Sequence, residues 1–189
     1  MKKIILLFTP FIIFSIHIFS SAENNGDICE PSNNETINER EFSKEFSGTF
    51  NGKRLTYTAS LKEKILYEKD KPNTPMASFF YTEYIVNSEE NRPVMFSFNG
   101  GPGSASLWLH IGALGPKVVK VPSDASDDGS PPYKMVDNKL SPLSDADLVF
   151  IDPIGTGYSR AMGCHDPKEF WGVNEDPKII AEFIRRWIN

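Results

Sequence analysis

The residues with the clearest chemical potential form a glycine-rich turn, Asn99 to Gly103, with the sequence NGGPG. Its glycines permit backbone angles that other residues resist, and they leave bare backbone N–H groups pointing into the turn. Donors arranged in this way suit a negative charge, such as a carboxylate or the oxyanion of an acyl transfer. The sequence therefore predicts an anion-binding turn at this position.

A second candidate is Ser159, within the sequence GYSRA at residues 157–161, which matches the G-x-S-x-[GA] spelling of a nucleophile elbow. An elbow must place its serine at the tip of a strand, because the strained turn is what exposes the hydroxyl group. Ser159 comes well after Asp152, and Pro153 and Gly155 have by then ended the strand. We therefore interpret Ser159 as a loop serine that shapes the wall of a cleft.

Few other residues are candidates for acid–base chemistry. His165 and Asp166 lie close to Ser159 in sequence, but Pro167 follows them, and adjacency along a loop does not assemble a catalytic relay. His110 sits within a predicted helix and is interpreted as a histidine on the helix surface or at the core edge. No pair of histidines or cysteines has metal-ligand spacing, so the sequence predicts no metal site and no cofactor.

Hydrophobic patterning predicts the elements that position the turn. The short apolar run Val94 to Phe98 indicates a buried strand immediately before it. After the turn, Ser104 or Ser106 is expected to cap a helix that Gly115-Pro116 ends. The continuous apolar run Asp147 to Asp152 is typical of a strand buried on both faces of a parallel sheet. Together these elements predict a βαβ-type unit.

The segment before this unit has the alternating pattern of β-structure. We predict an antiparallel strand pair over Phe50 to Lys69, with tight turns at Gly48 and at Asn51-Gly52. Lys71 to Pro75 is expected to break the pair, and Met76 to Val86 is predicted to form the next strand.

The end of the chain has helical spacing. Asn174 or Asp176 is expected to cap a helix with Pro177 in its first turn. The apolar residues predicted to share one broad face of this helix are Ile179, Ile180, Phe183, Ile184, Trp187 and Ile188.

The start of the chain predicts export. Residues 1–22 have the plan of a signal peptide: two lysines, an apolar run and small residues that end at Ala22, where we expect cleavage. The run is too short to span a bilayer, so no stable membrane span is expected after cleavage. Residues 23–45 read as a flexible leader and residues 46–189 as the packed domain. Cys29 and Cys164 are the only cysteines, and a disulfide between them is a hypothesis.

Two motifs together resemble one known family. FNGGPGSASLWLHIGALGP and, downstream, DLVFIDPIGTGYSRA are similar to sequences of the serine carboxypeptidase family, whose members have the α/β-hydrolase fold. The similarity runs from about Phe46 to Asn189. The resemblance implies an incomplete α/β-hydrolase domain: the N-terminal half of the central sheet with its first helices.

The resemblance also implies roles for the turn. Gly101 would donate an oxyanion-hole N–H, and Asn99 and Gly100 would bind the free carboxylate at the C-terminus of a peptide substrate. The chain departs from the family at Ser97, where a tryptophan is usual, and at Ala113, where a glutamate is frequent. These departures weaken the expectation of strict C-terminal specificity.

A further departure concerns a disulfide. Many relatives carry a cysteine directly after NGGPG, but this chain has Ser104, so that family disulfide is not available.

The expected function follows from the same resemblance. In the family, the nucleophile elbow lies on the strand after the helix that here ends at Asn189, so the catalytic Ser, Asp and His are expected beyond it. We therefore expect part of an exported serine-type carboxypeptidase that is inactive alone, with a separate C-terminal half as a candidate partner. Without that half, the apolar strand Val94 to Phe98 would be an open sheet edge prone to aggregation.

Two alternatives remain open. One is a non-catalytic peptide-binding module or remnant that kept the cleft. The other is a nucleotide-binding βαβ unit, which is disfavoured because Ser106 occupies the place of the last glycine and Pro102 stiffens the loop. The net charge of −5 gives no basic surface for a nucleic-acid partner.

Overall fold

The computed structural model of the protein describes residues 37–100, 103–121 and 131–189. The predicted signal peptide with its cleavage site at Ala22, most of the predicted leader, Cys29 and Gly101 lie outside the described residues. Cys164 is disulfide-bonded. Within the described ranges, no helix combines the length and the apolar character needed to cross a membrane.

The domain begins with a meander of three antiparallel strands. β1 spans Glu41–Phe50, β2 spans Lys53–Glu68 and β3 spans Lys71–Val86. The predicted turn at Asn51-Gly52 is confirmed, and both residues have positive φ, 45° and 78°, as a two-residue hairpin of this kind requires.

Four predictions about this meander were wrong. Phe50 to Lys69 does not hold an antiparallel strand pair, because residues 53–68 form the single strand β2, whose antiparallel partners are β1 and β3. β1 begins at Glu41, inside the segment predicted to be a flexible leader, because its backbone pairs with β2 along its whole length. Gly48 lies within β1 rather than in a turn, and a Cβ atom there would lie 2.6 Å from the Phe50 ring. Lys71 to Pro75 does not break the sheet but forms the start of β3. Register shifts next to Tyr67 accommodate the prolines of this segment.

The predicted parallel pair is confirmed. β4, Val94–Ser97, pairs in parallel with β7, Asp147–Ile151, and every residue of β7 is buried. The main sheet has the order β1-β2-β3-β7-β4, with a short strand β8, Arg160–Ala161, paired to β3. Among the described strands, none pairs with the outer side of β4, which forms one edge of the sheet.

A second, two-stranded sheet lies outside this order. It pairs β5, Lys117–Val119, with β6, Met135–Asp137, in antiparallel orientation. Two 3-10 turns, Pro142–Ser144 and Pro167–Phe170, complete the regular structure.

Helices cover both faces of the main sheet. α1, Leu107–Leu109, continues as a π-helical turn over His110–Leu114, so helical structure fills the predicted segment up to Gly115, and its second part is π-helical. α2, Glu175–Ile188, is the predicted C-terminal helix. The mixed sheet with helices on both faces agrees with part of an α/β domain.

Two hydrophobic clusters fill the layers on either side of the sheet. α2 packs with the first cluster, and its predicted apolar face is correct except for Ile188, which is 65% exposed. The buried members of the first cluster are Leu66, Ala77, Phe79, Tyr81, Val149, Ile151, Ile154, Phe170, Ile180 and Phe183. Leu109 and Leu114 pack against the second, which contains Phe50, Tyr57, Val86, Leu143, Leu148 and Phe150.

Asp147 fastens the amino end of β7. Its Oδ1 accepts hydrogen bonds from the Val86 backbone N–H and from Arg92 Nε, each at 3.0 Å. Arg92 also donates to the Leu143 carbonyl at 2.7 Å. The charge of this largely buried carboxylate is therefore paired and hydrogen-bonded.

Candidate functional site

The predicted anion-binding turn lies where two parallel strands end. Asn99 and Gly100 follow β4, and Asp152 follows β7. Ser97 and Phe150 are paired across the two strands, so the segments after them leave the sheet side by side. In open α/β sheets, ligands bind at the carboxyl ends of the strands, and this position is therefore the first candidate for a site.

The exit of the turn is fixed by Asp152. Its Oδ1 accepts hydrogen bonds from both the backbone N–H and the Oγ of Ser106, each at 2.8 Å. Ser106, one of the two predicted capping residues, is the N-cap residue of α1, but its side chain makes no capping bond, because this hydroxyl group is committed to the carboxylate. Bonds to an ionised acceptor are stronger than neutral ones, so they define the position of Ser106 well.

A second hydrogen bond lies inside the turn. The side-chain amide of Asn99 donates from Nδ2 to Ser104 Oγ at 3.3 Å. Asn99 is half-buried, whereas Gly100 is exposed. Ser104 thus orients the predicted carboxylate-binding side chain. Gly101, the predicted oxyanion donor, lies outside the described residues, and its role stays a prediction.

A cavity of about 520 Å³ opens beside the turn. Phe98, Asn99 and Gly100 form one wall, and the opposite wall comes from α2 and the segment before it. The residues of that second wall are Gly172, Val173, Asp176, Pro177, Ile180, Ala181 and Ile184. The site therefore combines a polar turn with a largely apolar space, the usual composition of a small-ligand pocket.

The loop after β7 is shaped around Asp152. Gly157 has a φ of 51°, and a Cβ atom there would collide with Asp152 Oδ2. Gly155 has a φ of 87° and lies against the Trp171 indole, whose Nε1 donates to the Ile154 carbonyl at 2.9 Å. The two glycines of this motif thus leave room for one carboxylate and one indole ring.

Ser159 is buried and fully engaged. Its Oγ accepts a hydrogen bond from the Phe80 backbone N–H at 2.8 Å and donates to the Asp152 carbonyl at 2.7 Å. Neither partner is a base, and the hydroxyl group has no exposed surface from which to attack a substrate. This geometry agrees with the interpretation of Ser159 as a structural loop serine.

His110 contacts residues of the second hydrophobic cluster. Its Nε2 lies 2.6 Å from the Tyr84 hydroxyl, and its ring stacks on Phe150 with 4.5 Å between centroids. Burial lowers the pKa of His110 to about 4, against a smaller opposing effect of the Asp152 charge. A neutral, enclosed imidazole of this kind serves packing, as predicted for a histidine at the core edge.

His165 and Asp166 also have structural partners. His165 Nδ1 lies 2.8 Å from Glu169 Oε2, and its Nε2 lies 3.3 Å from Glu68 Oε1. Asp166 caps the 3-10 turn that follows by accepting a hydrogen bond from the Lys168 N–H at 2.8 Å. The structure therefore does not bring these two residues together with Ser159 as a catalytic relay.

Sequence reasoning missed Asp152 and Trp171. The sequence pattern marks Asp152 only as the end of a strand, although an acidic residue directly after a buried parallel strand lies where sites form. Trp171 carries no comparable sequence pattern, because its contact with Gly155 depends on how the loop folds back. Asn99 and Gly100, by contrast, belong to the turn that the glycine-rich pattern predicts, and their carboxylate-binding role stays a prediction from the family resemblance.

Comparison with known proteins gives a consistent result. A family model described as serine carboxypeptidase matches residues 58–189. Serine carboxypeptidase-like 15 of Arabidopsis thaliana is 31% identical over 113 residues, which cover 58% of this chain and 24% of that protein. Serine carboxypeptidase-like 11 of the same plant is 31% identical over 112 residues, covering 56% and 24%.

A fungal protein gives a similar match. Pheromone-processing carboxypeptidase KEX1 of Saccharomyces cerevisiae (strain JAY291) is 32% identical over 126 residues, which cover 62% of this chain and 16% of that protein. The matched segments thus span a quarter or less of the length of these relatives.

Proposed function

This chain belongs to the serine carboxypeptidase family, and on that basis we propose that it contributes the carboxylate-binding turn of an exported serine-type carboxypeptidase. Such an enzyme removes residues from the C-terminus of a peptide by acyl-enzyme chemistry. Asn99 and the Gly100 N–H bind the free substrate carboxylate, and Gly101 donates to the oxyanion. The substrate is accordingly a peptide with a free C-terminus.

One observation carries the proposal: the turn lies at the carboxyl end of β4 and is tied to the loop after the parallel strand β7. The two sequence motifs that resemble the family are thereby joined at the carboxyl ends of β4 and β7. The cavity next to Asn99 and Gly100 offers apolar space for a peptide side chain beside the polar turn. Family membership implies the α/β-hydrolase fold, of which a mixed sheet flanked by helices forms a part.

Among the described residues, the candidate nucleophile and the candidate bases are not arranged for acyl transfer. General-base activation of a serine needs a base within hydrogen-bond reach. Ser159 is instead bonded to two backbone groups, and His110 and His165 have other partners. We propose that the nucleophile, base and acid come from outside the described residues, on a complementing C-terminal half, and that the 189-residue chain alone binds peptides without hydrolysing them.

The proposed location is outside the cytoplasm. The plan of residues 1–22, with two lysines, an apolar run and small residues up to Ala22, supports a cleaved signal peptide. The net charge of −5 gives no support for nucleic acid as a partner.

A second candidate function is a non-catalytic peptide-binding module. The same observation favours it, because the turn and the cavity are present while Ser159 has the contacts of a structural residue. Reading the coding DNA past the Asn189 codon distinguishes the two. A G-x-S-x-G elbow in any frame favours the enzyme, and its absence favours the module.

Calorimetric titration tests the proposed binding. The probe is N-acetyl-Phe-Leu with a free carboxylate, compared with its C-terminal amide. We expect the chain to bind the carboxylate form about tenfold more tightly, because hydrogen bonds to a charged group contribute roughly 1.5 to 3 kcal/mol. Asn99→Ala should remove this preference. Asn87→Ala is the matched control, since that exposed side chain donates to Glu45 instead.

Equal affinity of the unchanged chain for the two peptides would contradict the proposed function. An Asn87→Ala variant that lost the preference as fully as Asn99→Ala would also contradict the assignment of Asn99.

A further inference from the structure

We propose that Asp152 is a positioning residue for the carboxylate-binding turn and that it acts through Ser106. This inference rests on the proposed function, which it deepens by naming what holds Asn99 and Gly100 in their binding geometry. Asp152 lies at the end of a different strand, so the turn takes its position from the neighbouring strand as well as from β4.

The contacts of Asp152 divide between its two carboxylate oxygens. Oδ1 accepts both Ser106 donors, the backbone N–H and Oγ, at 2.8 Å each. Oδ2 lies so close to Gly157 that no side chain fits there. Ser106 is 3% exposed and Asp152 is half-buried, so these bonds are partly shielded from competing water. The carboxylate is therefore clamped between the end of the turn and the loop after β7.

A short path connects this clamp to the binding residues. Ser106 is separated from Ser104 by a single residue, and Ser104 Oγ accepts the hydrogen bond from Asn99 Nδ2. One end of the turn is fixed by β4 and the other by Asp152, so loss of either anchor frees Asn99 to adopt other rotamers. A residue that holds a binding side chain in place controls affinity without contacting the ligand itself.

The charge of Asp152 gives a further reason to assign this role. A carboxylate close to an anion-binding turn repels an anionic ligand and weakens its binding, unless the same carboxylate also positions the turn. The two Ser106 donors offset the charge locally. What Asp152 supplies is an acceptor able to take both Ser106 donors on one oxygen atom.

The test measures the ratio of affinities for N-acetyl-Phe-Leu and its C-terminal amide in the full chain. Asp152→Ala removes both bonds, Ser106→Ala removes one, and Asp152→Asn keeps an acceptor oxygen. We expect Asp152→Ala to lower the ratio about tenfold, Ser106→Ala to lower it less, and Asp152→Asn to retain most of it.

Asp147→Ala is the matched control. Asp147 is the first residue of β7, the strand that Asp152 follows, and it also accepts two hydrogen bonds, from Val86 and Arg92. It lies at the end of β7 opposite the turn. It should lower the thermal midpoint at least as much as Asp152→Ala and leave the ratio unchanged. A role of Asp152 in general stability alone would make the two variants alike.

A folded Asp152→Ala variant with the wild-type ratio overturns the proposal, as does an equal loss of the ratio in Asp147→Ala. If Asp152→Ala does not fold, Ser106→Ala decides, and an unchanged ratio there overturns the proposal. A wild-type chain with no preference refutes the proposed function instead. Amide hydrogen exchange over residues 103–106 then decides the anchoring, which is overturned if exchange in Asp152→Ala or, where that variant does not fold, in Ser106→Ala is no faster than in wild type.

Discussion

The Tyr84 hydroxyl oxygen lies 2.6 Å from Nε2 of His110. This contact links strand β3 to the π-helical turn His110–Leu114, which comes after the predicted carboxylate-binding turn in the chain. Burial raises the pKa of Tyr84, so its hydroxyl group stays protonated and can donate to an unprotonated ring nitrogen. Burial of the His110 ring disfavours its charged form, so the histidine in this contact is neutral.

This contact predicts a loss of stability in acid. Because burial lowers the folded-state pKa of His110 to about 4, the unfolded chain binds a proton first as the pH falls below about 6.5. The stability that depends on neutral His110 is fully present above that pH and is lost as the pH falls toward 4. The free energy of unfolding decreases by up to about 3 kcal/mol over this range. Urea unfolding at several pH values measures it. His110→Gln should flatten this part of the profile, whereas a flat wild-type profile between pH 4 and 6.5 would contradict the assignment.

His165→Gln is the control for the pH profile. His165 lies between Glu68 and Glu169, away from the Tyr84 contact. If its substitution flattened the profile between pH 4 and 6.5 as much as His110→Gln, the effect would not belong to His110.

Ser159→Ala should cost stability but no activity. The substitution leaves the buried Phe80 N–H without its acceptor, a loss of about 1 to 3 kcal/mol. We expect neither the wild-type chain nor the variant to hydrolyse peptide or ester substrates. Urea unfolding and a sensitive ester assay check the two parts. Turnover by the wild type that disappears in the variant would make Ser159 a nucleophile.

Gly157→Ala should disturb the loop after β7. Its φ is 51°, and a methyl group would collide with Asp152 Oδ2, so we expect a loss of at least about 1 kcal/mol in the free energy of unfolding. Gly112→Ala is the control, because nothing lies within 4 Å of a Cβ atom at Gly112. If urea unfolding gave Gly157→Ala the same free energy of unfolding as the wild type, the Asp152 carboxylate would move aside at little cost.

The outer edge of β4 should promote self-association. The apolar strand Val94–Ser97 carries no charge, and the 41% exposed Phe98 follows it, whereas the opposite edge strand β1 carries Glu41, Lys44 and Glu45. Charged residues protect an edge from pairing with another chain. Sedimentation velocity should show less association for Phe98→Lys than for the control Phe42→Lys. The reverse order would place the association on β1.

The export prediction has its own measurement. If residues 1–22 are a cleaved signal peptide, intact mass analysis of exported material should show a chain that begins near Glu23. A mature chain that starts at Met1 in a membrane fraction would favour an uncleaved anchor.

Local patterns predicted the central unit correctly. The apolar runs at Val94 and Asp147 and the turn at Asn51-Gly52 each carry their structural information within a few residues. The errors fell where pairing partners decide the outcome. β1 extends back to Glu41 because β2 is long enough to pair with it, and Pro72 and Pro75 fit into β3 because register shifts accommodate them.

The predictions for the candidate site depend on sequence in a similar way. The glycine pattern predicts an anion-binding turn at Asn99 to Gly103 without knowledge of the fold, and the family resemblance assigns carboxylate binding to Asn99 and Gly100. The role of Asp152 depends on two strands being parallel neighbours, and its contact with Ser106 spans 46 residues of sequence. No periodicity within one segment can reveal a contact of that kind.

The position of β3 in the sheet bears on how the chain folds. β3 pairs with β2 across a two-residue turn at Lys69-Asp70, so the meander can form from local contacts at low entropic cost. Its other neighbour, β7, lies much later in the sequence. The hydrogen bond between Val86 and Asp147 closes a loop of 61 residues. We therefore expect the meander to form early and the docking of β7 to be the slow step. Until β7 docks, β4 has no described partner, and the binding turn cannot acquire its shape.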